Sequence, residues 1–174
     1  PAYNPRSMRP YELPTDILWK DGSTTRRATK PDYIFGIGDS RGERPTRGLH
    51  FLEYDRGTEH FIRDKASQSS ILQKMLGYAD AYERKLHEDF YGYKRFRVLF
   101  VVEGNDRRIE NMIAVYKAHV ADRIPAGAFL FTTSANLAAA GFLAPIWQTA
   151  RGEVLPLLQT ADARPIRSSH PARV

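Results

Sequence analysis

The segment Phe96–Val102 constrains the fold more than any other part of the chain, because it is apolar at every position except Arg97. A strand with one face in water alternates apolar and polar residues, whereas a strand covered on both faces reads as a nearly continuous apolar run. The segment Phe129–Thr133 has the same character. Both segments are therefore predicted to be central strands of a sheet whose two faces are covered.

Two amphipathic segments supply helices that can cover such a sheet. The first is predicted to begin with Ser67 as its N-cap and to reach about Glu88, and the second is predicted to begin after Gly104-Asn105. In both segments apolar residues recur at helical spacing, so each helix has one face suited to the core. The predicted fold class is α/β (α+β), with a mixed central β-sheet flanked by helices.

The rest of the chain sets the domain boundaries. Residues 1–14, which contain four prolines, are predicted to form an extended N-terminal arm, residues 15–160 a single domain, and residues 161–174 a flexible basic tail. Shorter elements are predicted inside the domain: strands at 15–20, 30–37 and 49–55, a hairpin turn at Asp21-Gly22, a polar segment at 24–30 that leads into the next strand, a short helix at 134–141 and a hairpin at 145–158.

The composition excludes several classes of protein. The chain has no cysteine, hence no disulfide, no thiolate metal site and no cysteine nucleophile, which fits a reducing cytoplasm. No apolar run approaches the length of a membrane span. The histidines lack zinc spacing, and no glycine-rich nucleotide loop is present. The net charge of +6 predicts a polyanionic partner, nucleic acid first, although a merely basic surface would have the same charge.

Two acidic residues lie inside the largely apolar strand segment 49–55. Glu53 and Asp55 are two positions apart, so their side chains point to the same face of the strand. Asp32 opens the preceding strand segment and comes close to Glu53 if the two strands pair. Crowded carboxylates in an apolar setting are costly unless a positive charge compensates them, and hard divalent cations prefer carboxylate oxygens. The pattern therefore predicts that Asp32, Glu53 and Asp55 bind Mg²⁺ or Mn²⁺.

Pro31-Asp32, followed on the next strand by Glu53-x-Asp55, resembles the PD-(D/E)xK nuclease superfamily. The resemblance implies a restriction-endonuclease-like core in which Asp32 and Glu53 bind magnesium and a lysine orients or polarises the attacking water. Position 55 departs from the pattern, because the superfamily has Lys where this chain has Asp. A lysine on the following helix takes over this role in some nucleases of the fold, and here Lys74 is the first candidate and Lys65 the second.

A more detailed likeness lies in Pro31-Asp32, Phe51–Thr58, Gln68-x-Ser70-x-x-x-Lys74-x-x-x-Tyr78, Phe96–Leu99, Phe129–Phe131 and Pro145–Trp147. In these segments, which span roughly residues 15–158, the chain resembles the replication-relaxation family of plasmids and other mobile elements. The resemblance implies metal-dependent cleavage or nicking of DNA during replication or relaxation, in the bacterial cytoplasm. Family members usually carry an upstream winged-helix DNA-binding region, and this chain, which begins at Pro1 without Met, is expected to be an excised piece that lacks it.

The residues predicted to contact DNA lie on both sides of the acidic strand. In a nuclease, Gln68 and Ser70 would orient Lys74 or contact the DNA backbone. The loop at 38–48 carries arginines that suit a phosphate backbone, and a solvated connector is its alternative. The arginines predicted to bind DNA are Arg41, Arg44, Arg47 and Arg56.

Three functions stay open at this point. In the first, the protein is a Mg²⁺-dependent DNA endonuclease, in particular a nickase. In the second, the site is catalytically inactive and the protein is a DNA-binding accessory protein for plasmid replication or transfer. The third is a homodimerising scaffold, which exposed aromatic side chains in the segment Tyr91–Tyr93 would support. An inactive site would leave Glu53 paired with Lys74 or with an arginine, and Asp55 with Arg56 would cap the turn.

Overall fold

A computed structural model describes residues 11–19, 21–39, 46–63 and 69–158 of the chain. This part of the chain folds into a six-stranded mixed sheet, a two-stranded sheet and helices, which confirms the predicted class. The strands are β1 (Leu13–Leu18), β2 (Thr24–Thr29), β3 (Tyr33–Asp39), β4 (Thr46–Asp55), β5 (Phe96–Val102), β6 (Phe129–Thr133), β7 (Trp147–Thr149) and β8 (Val154–Leu155). The helices are α1 (Ile71–Glu83), α2 (Leu86–Tyr91), α3 (Asp106–His119) and α4 (Ser134–Ala140), with a 3-10 turn at Ala126–Ala128.

Several predictions concern residues outside these ranges. The predicted arm is described only from residue 11, and the predicted tail at 161–174 lies wholly outside the described residues. The candidate site residues Arg41, Arg44, Lys65 and Gln68 and the predicted cap Ser67 also lie outside them. Within the described ranges, every helix is too short or too polar to cross a membrane.

The large sheet has the strand order β3-β4-β5-β6-β7-β8. Its centre is parallel, because β4, β5 and β6 run in the same direction, whereas β3, β7 and β8 join antiparallel. Parallel neighbours need a crossover connection, which α1 with α2 supplies before β5 and α3 supplies before β6. The register places Asp55 opposite Val102 at one end of the parallel sheet and Leu49 opposite Phe96 at the other.

Alternate side chains of β5 enter two different hydrophobic clusters, as its continuous apolar sequence predicts. Val98 and Phe100 enter the larger cluster, which α1 and α3 cover, and Leu99 and Val101 enter a smaller cluster around Trp147. These side chains are almost completely buried. Burial of each one stabilises the folded state by about 1.5–3 kcal/mol relative to leaving it in water.

The single long helix predicted from Ser67 to about Glu88 is wrong, because α1 and α2 replace it. The helix α1 begins after Ser70, whose Oγ accepts a hydrogen bond from the backbone N–H of Gln73 at 3.2 Å. Several nearby serines carry the same capping signal, and the sequence does not rank them. The two helices are separated by Lys85, whose φ of 56° lies in the left-handed region and interrupts the helical conformation. The sequence has no glycine or proline at this position from which the break could be predicted.

The strands β1 and β2 form a hairpin that packs on α1, apart from the large sheet. Gly22 has a φ of 81°, which confirms the predicted turn. The polar segment expected only to lead into the next strand is itself β2, and β1 begins at Leu13, inside the predicted arm. The hairpin is fixed to α1 by a hydrogen bond of 2.9 Å from the backbone N–H of Asp16 to Asp80 Oδ2.

Gly77 of α1 allows this close approach, and its replacement is the first test of the fold. A Cβ at position 77 would lie 2.1 Å from Thr29 Oγ1 and 3.5 Å from Thr15 Oγ1. Gly77→Ala is therefore expected to displace the hairpin and to lower the free energy of unfolding by about 1–3 kcal/mol, as overpacking does. Chemical denaturation measures the change. The control is Gly127→Ala, where a Cβ meets no atom of the described residues within 4 Å. Equal stability of the two variants would contradict the packing described here.

Candidate functional site

The candidate site lies at the end of β4, where β3, β4 and α1 meet. The pairing of β3 with β4 brings Asp32 to this place, as expected from the sequence. The backbone N–H of Asp32 donates to Leu52 O at 3.0 Å, and Asp32 Oδ2 accepts from the backbone N–H of Tyr54 at 2.7 Å. The Asp32 side chain is exposed, whereas Glu53 is only 1% exposed. Asp32 and Glu53 therefore offer one accessible and one buried carboxylate at the same strand end.

Glu53 is held by two side chains of α1. Glu53 Oε1 accepts a hydrogen bond from the Tyr78 hydroxyl at 2.6 Å, and Glu53 Oε2 lies 3.0 Å from Lys74 Nζ. Lys74 and Tyr78 are four positions apart, so they lie on one face of the helix. At this distance the contact between Lys74 and Glu53 is an ion pair. Lys74 Nζ also lies 3.0 Å from Glu59 Oε2 and therefore bridges two carboxylates.

The environment shifts the pKa of Glu53, Lys74 and Tyr78. Burial raises the pKa of Glu53, and the nearby Lys74 and Tyr78 offset that rise only in part. Burial by itself lowers the pKa of Lys74, but Glu53 and Glu59 together raise it above its ordinary value. Burial and the neighbouring Glu53 raise the pKa of Tyr78, so its hydroxyl remains a proton donor. Lys74 is therefore a permanently charged group beside a carboxyl group that holds its proton more tightly than usual.

Asp55 faces a different partner from Glu53. Arg108 of α3 binds it with two nitrogens: Nη2 lies 2.8 Å from Oδ1, and Nε bonds Oδ2. Arg108 Nη2 also donates to the Glu59 carbonyl oxygen at 2.7 Å, and its guanidinium lies 4.7 Å from the ring centroid of Phe61. Arg56, the predicted partner of Asp55, is exposed. Asp55 therefore belongs to an ion pair that joins β4 to α3.

The structure does not unite the three predicted metal ligands in one cation site. Asp32 and Glu53 are neighbours, but both oxygens of Asp55 are bonded to Arg108. Across the described ranges, no group of three or more acidic or histidine side chains is arranged to hold a metal ion. Asp32 and Glu53 thus remain as candidate ligands, and Asp55 is better described as a structural residue.

A cavity of about 470 Å³ opens between α1 and the β1–β2 hairpin. Glu53 and Lys74 line it, so the buried carboxyl group borders open space. Basic side chains of the hairpin line it too, and one of them, Lys30, pairs with Glu12 at 2.7 Å. The other residues of its wall are Ile17, Arg27, Ala28, Thr29, Ser69 and Gln73. The cavity wall thus carries three cationic and two acidic side chains, and both of its lysines are paired with carboxylates.

The other predicted residues have different places. Ser70, predicted to contact DNA, is 1% exposed and serves as the N-cap of α1, which corrects that prediction. Arg47 and Arg56 are exposed and remain accessible to a polyanion. Tyr91 and Tyr93 are half-buried against the larger hydrophobic cluster, so they do not provide the exposed aromatic surface that would support a homodimer.

Sequence reasoning missed three residues of the site. Tyr78 stood in the helix motif, but its role as a donor to Glu53 follows only from the packing of α1 on β4. Glu59 carried no signal beyond its position in a turn. Arg108 lies 53 residues from Asp55, so no local pattern connects the two.

Comparison of the chain with protein-family models, with curated proteins and with solved structures finds no significant match.

The Asp55–Arg108 pair has a testable structural role. Asp55→Asn is expected to lower the free energy of unfolding by about 3–5 kcal/mol, because it leaves a largely buried guanidinium without its counter-charge. Urea denaturation measures the loss. The control is Glu83→Gln, which breaks the more exposed Glu83–Arg123 pair and is expected to cost at most about 1 kcal/mol. A loss for Asp55→Asn as small as the control's would mean that Asp55 does not stabilise the fold.

Proposed function

We propose that the protein hydrolyses phosphodiester bonds of DNA with the help of a divalent cation, using Asp32, Glu53 and Lys74. The observation that carries the proposal is the position of Lys74, whose Nζ lies 3.0 Å from Glu53 Oε2 at the wall of a cavity. Two carboxylates with a neighbouring lysine are the set that the PD-(D/E)xK resemblance implies. Here the lysine comes from the helix after the acidic strand. We therefore assign the chain a PD-(D/E)xK-like core.

Two of the residues present, Glu53 and Asp32, are suited to bind one divalent cation. Glu53 Oε2 lies 3.0 Å from Lys74 Nζ, and a carboxylate oxygen has a second lone pair with which it can bind a cation. The exposed carboxylate of Asp32 is the second oxygen donor. Mg²⁺ commonly uses one or two carboxylates and completes its shell with water and substrate phosphate, which this pair allows. A bound cation would lower the pKa of a bound water and stabilise charge developing on the phosphate.

Lys74 supplies a positive charge close to the phosphate that reacts. Its ammonium has three N–H donors, and the two carboxylates beside it account for at most two of them. The remaining donor can hydrogen-bond a phosphate oxygen or the attacking water, and its fixed charge stabilises the negative charge that develops there. Tyr78 keeps Glu53 in place, and Glu59 keeps Lys74 in place, so both are positioning residues.

The substrate class follows from charge. The net charge of +6 and the exposed Arg47 and Arg56 favour a polyanion such as DNA. The replication-relaxation resemblance suggests nicking during replication or relaxation of a plasmid or other mobile element, in the bacterial cytoplasm. An upstream winged-helix region and a second copy of the chain are the proposed protein partners.

A catalytically inactive DNA-binding accessory protein is the second candidate function. It is favoured by the ion pairs themselves, since Lys74 already compensates Glu53 and Glu59, and Arg108 compensates Asp55. The acidic side chains are then balanced without a metal ion. Such a protein would bind DNA with an affinity that falls steeply as salt increases, and would leave the DNA intact.

The test combines thermal unfolding in Mn²⁺ with a nicking assay on supercoiled plasmid. In the wild type, Mn²⁺ at about 100 times its dissociation constant should stabilise the fold by about 2.7 kcal/mol. Glu53→Gln should abolish both this stabilisation and nicking. Lys74→Met should keep the Mn²⁺ stabilisation, because it removes no ligand, and should reduce nicking by about 100-fold or more.

Lys117→Met is the matched control, because Lys117 is an exposed lysine on α3 away from the cavity. It should preserve both properties. A wild type that shows neither Mn²⁺ stabilisation nor nicking, yet binds DNA in a salt-dependent way, would overturn the nuclease and establish the accessory protein.

A further inference from the structure

A second cavity, of about 650 Å³, lies at the opposite end of the parallel strands from Glu53. Leu49 and Phe96, which face each other where β4 and β5 begin to pair, form part of its wall. The 3-10 turn at 126–128 and Leu157 contribute further apolar wall. A cavity of this size with mostly apolar walls and a few convergent polar groups is typical of small-molecule sites.

Three arginines line this cavity: Arg47, Arg95 and Arg97. None of its lining residues is acidic, and none of the three arginines forms an ion pair with a carboxylate of the described residues. Arg97 is half-buried, and its Nη1 donates to the Leu157 carbonyl oxygen at 3.0 Å, which fixes the guanidinium at the wall. Three cations at a cavity with no acidic side chain among its described lining residues favour an anionic ligand.

His50 adds a polar group to the same wall. It is 3% exposed, and its buried Nδ1 has no hydrogen-bond partner among the residues that the structure describes. Its ring is oriented by stacking on Phe35, with 5.4 Å between the centroids. Burial, reinforced by the charge of Arg97, lowers the pKa of His50 to about 4, so the imidazole is neutral near pH 7. A buried ring nitrogen without a partner is costly, and a ligand that bonds to it would relieve that cost.

We propose that this second cavity binds a phosphorylated small molecule of the size of a nucleotide. Arginine guanidinium groups match phosphate oxygens in charge and in bidentate geometry, so Arg47, Arg95 and Arg97 would bind the phosphate. Leu49, Phe96 and the other apolar wall residues would pack against the organic part of the ligand. The cavity contains neither Glu53 nor Lys74, so this binding goes beyond the proposed cleavage of DNA.

The shape of the site favours a small ligand over a polynucleotide. Single-stranded nucleic acid is usually bound in grooves that follow several nucleotides, with bases stacked on aromatic side chains. Here the cations surround one cavity, and Phe96 is 4% exposed at its wall. The position of the cations and the limited volume therefore fit one phosphorylated molecule.

Isothermal titration calorimetry of the full chain with ADP, and separately with inorganic phosphate, tests the proposal. The wild type should bind ADP at a single saturable site. Arg97→Gln and Arg95→Gln should each weaken ADP binding about 10-fold or more, whereas Arg97→Lys should retain part of the affinity because it keeps the charge. Arg107→Gln, at an exposed arginine of α3 outside the cavity, is the matched control and should leave ADP binding unchanged.

Two results would overturn the proposal. The first is no ADP binding by the wild type at millimolar concentration; if Arg95→Gln then also weakens binding of a DNA duplex, the arginines contact backbone phosphates instead. The second is ADP binding that Arg95→Gln leaves intact. Because Arg95 is exposed, this variant tests the proposal even if Arg97→Gln fails to fold. Loss of plasmid nicking alone does not bear on ADP binding, so the two proposals fail separately.

Discussion

The ion pair between Glu53 and Lys74 is the interaction on which the arrangement of the site depends. A carboxyl group almost completely buried at the end of a strand is destabilising unless its oxygens have partners. Lys74 and the Tyr78 hydroxyl are those partners, and both come from one face of α1. The need to satisfy Glu53 therefore fixes the rotation of α1 against β4. Gly77, between the two partners, lets the β1–β2 hairpin close over the helix and form the cavity beside the pair.

A second buried pair complements the first on the same strand. Asp55 and Arg108 join β4 to α3, so both crossover helices are tied to the acidic strand. Glu59 takes part in both pairs, because its side chain binds Lys74 and its carbonyl oxygen accepts from Arg108. The two acidic residues of β4, Glu53 and Asp55, thus have different roles. Asp55 stabilises the fold, while Glu53 lies at a cavity beside a charged lysine, and the proposed cleavage of DNA rests on that second arrangement.

The structural features that could be predicted from the sequence are those that depend on a local residue pattern or on elements that follow one another in the chain. The continuous apolar run of β5 predicted a central strand, and the pairing of β3 with β4 predicted the approach of Asp32 to Glu53. Lys74 could be named as a candidate from the sequence, because it lies on the helix that follows the acidic strand. The partner of Asp55 could not be predicted, because Arg108 lies in α3, beyond α1, α2 and β5 in the chain. The break at Lys85 was missed since it has no compositional signal.

Anomalous diffraction from crystals of the protein soaked in Mn²⁺ tests the central claim most directly. If Glu53 and Asp32 form a cation site beside Lys74, a manganese peak should appear at about 2.1 Å from an oxygen of each carboxylate. Lys74 Nζ should then have moved away from Glu53 Oε2 while keeping its contact with Glu59. A map without a peak at these two carboxylates, with Lys74 still bridging Glu53 and Glu59, would contradict the account.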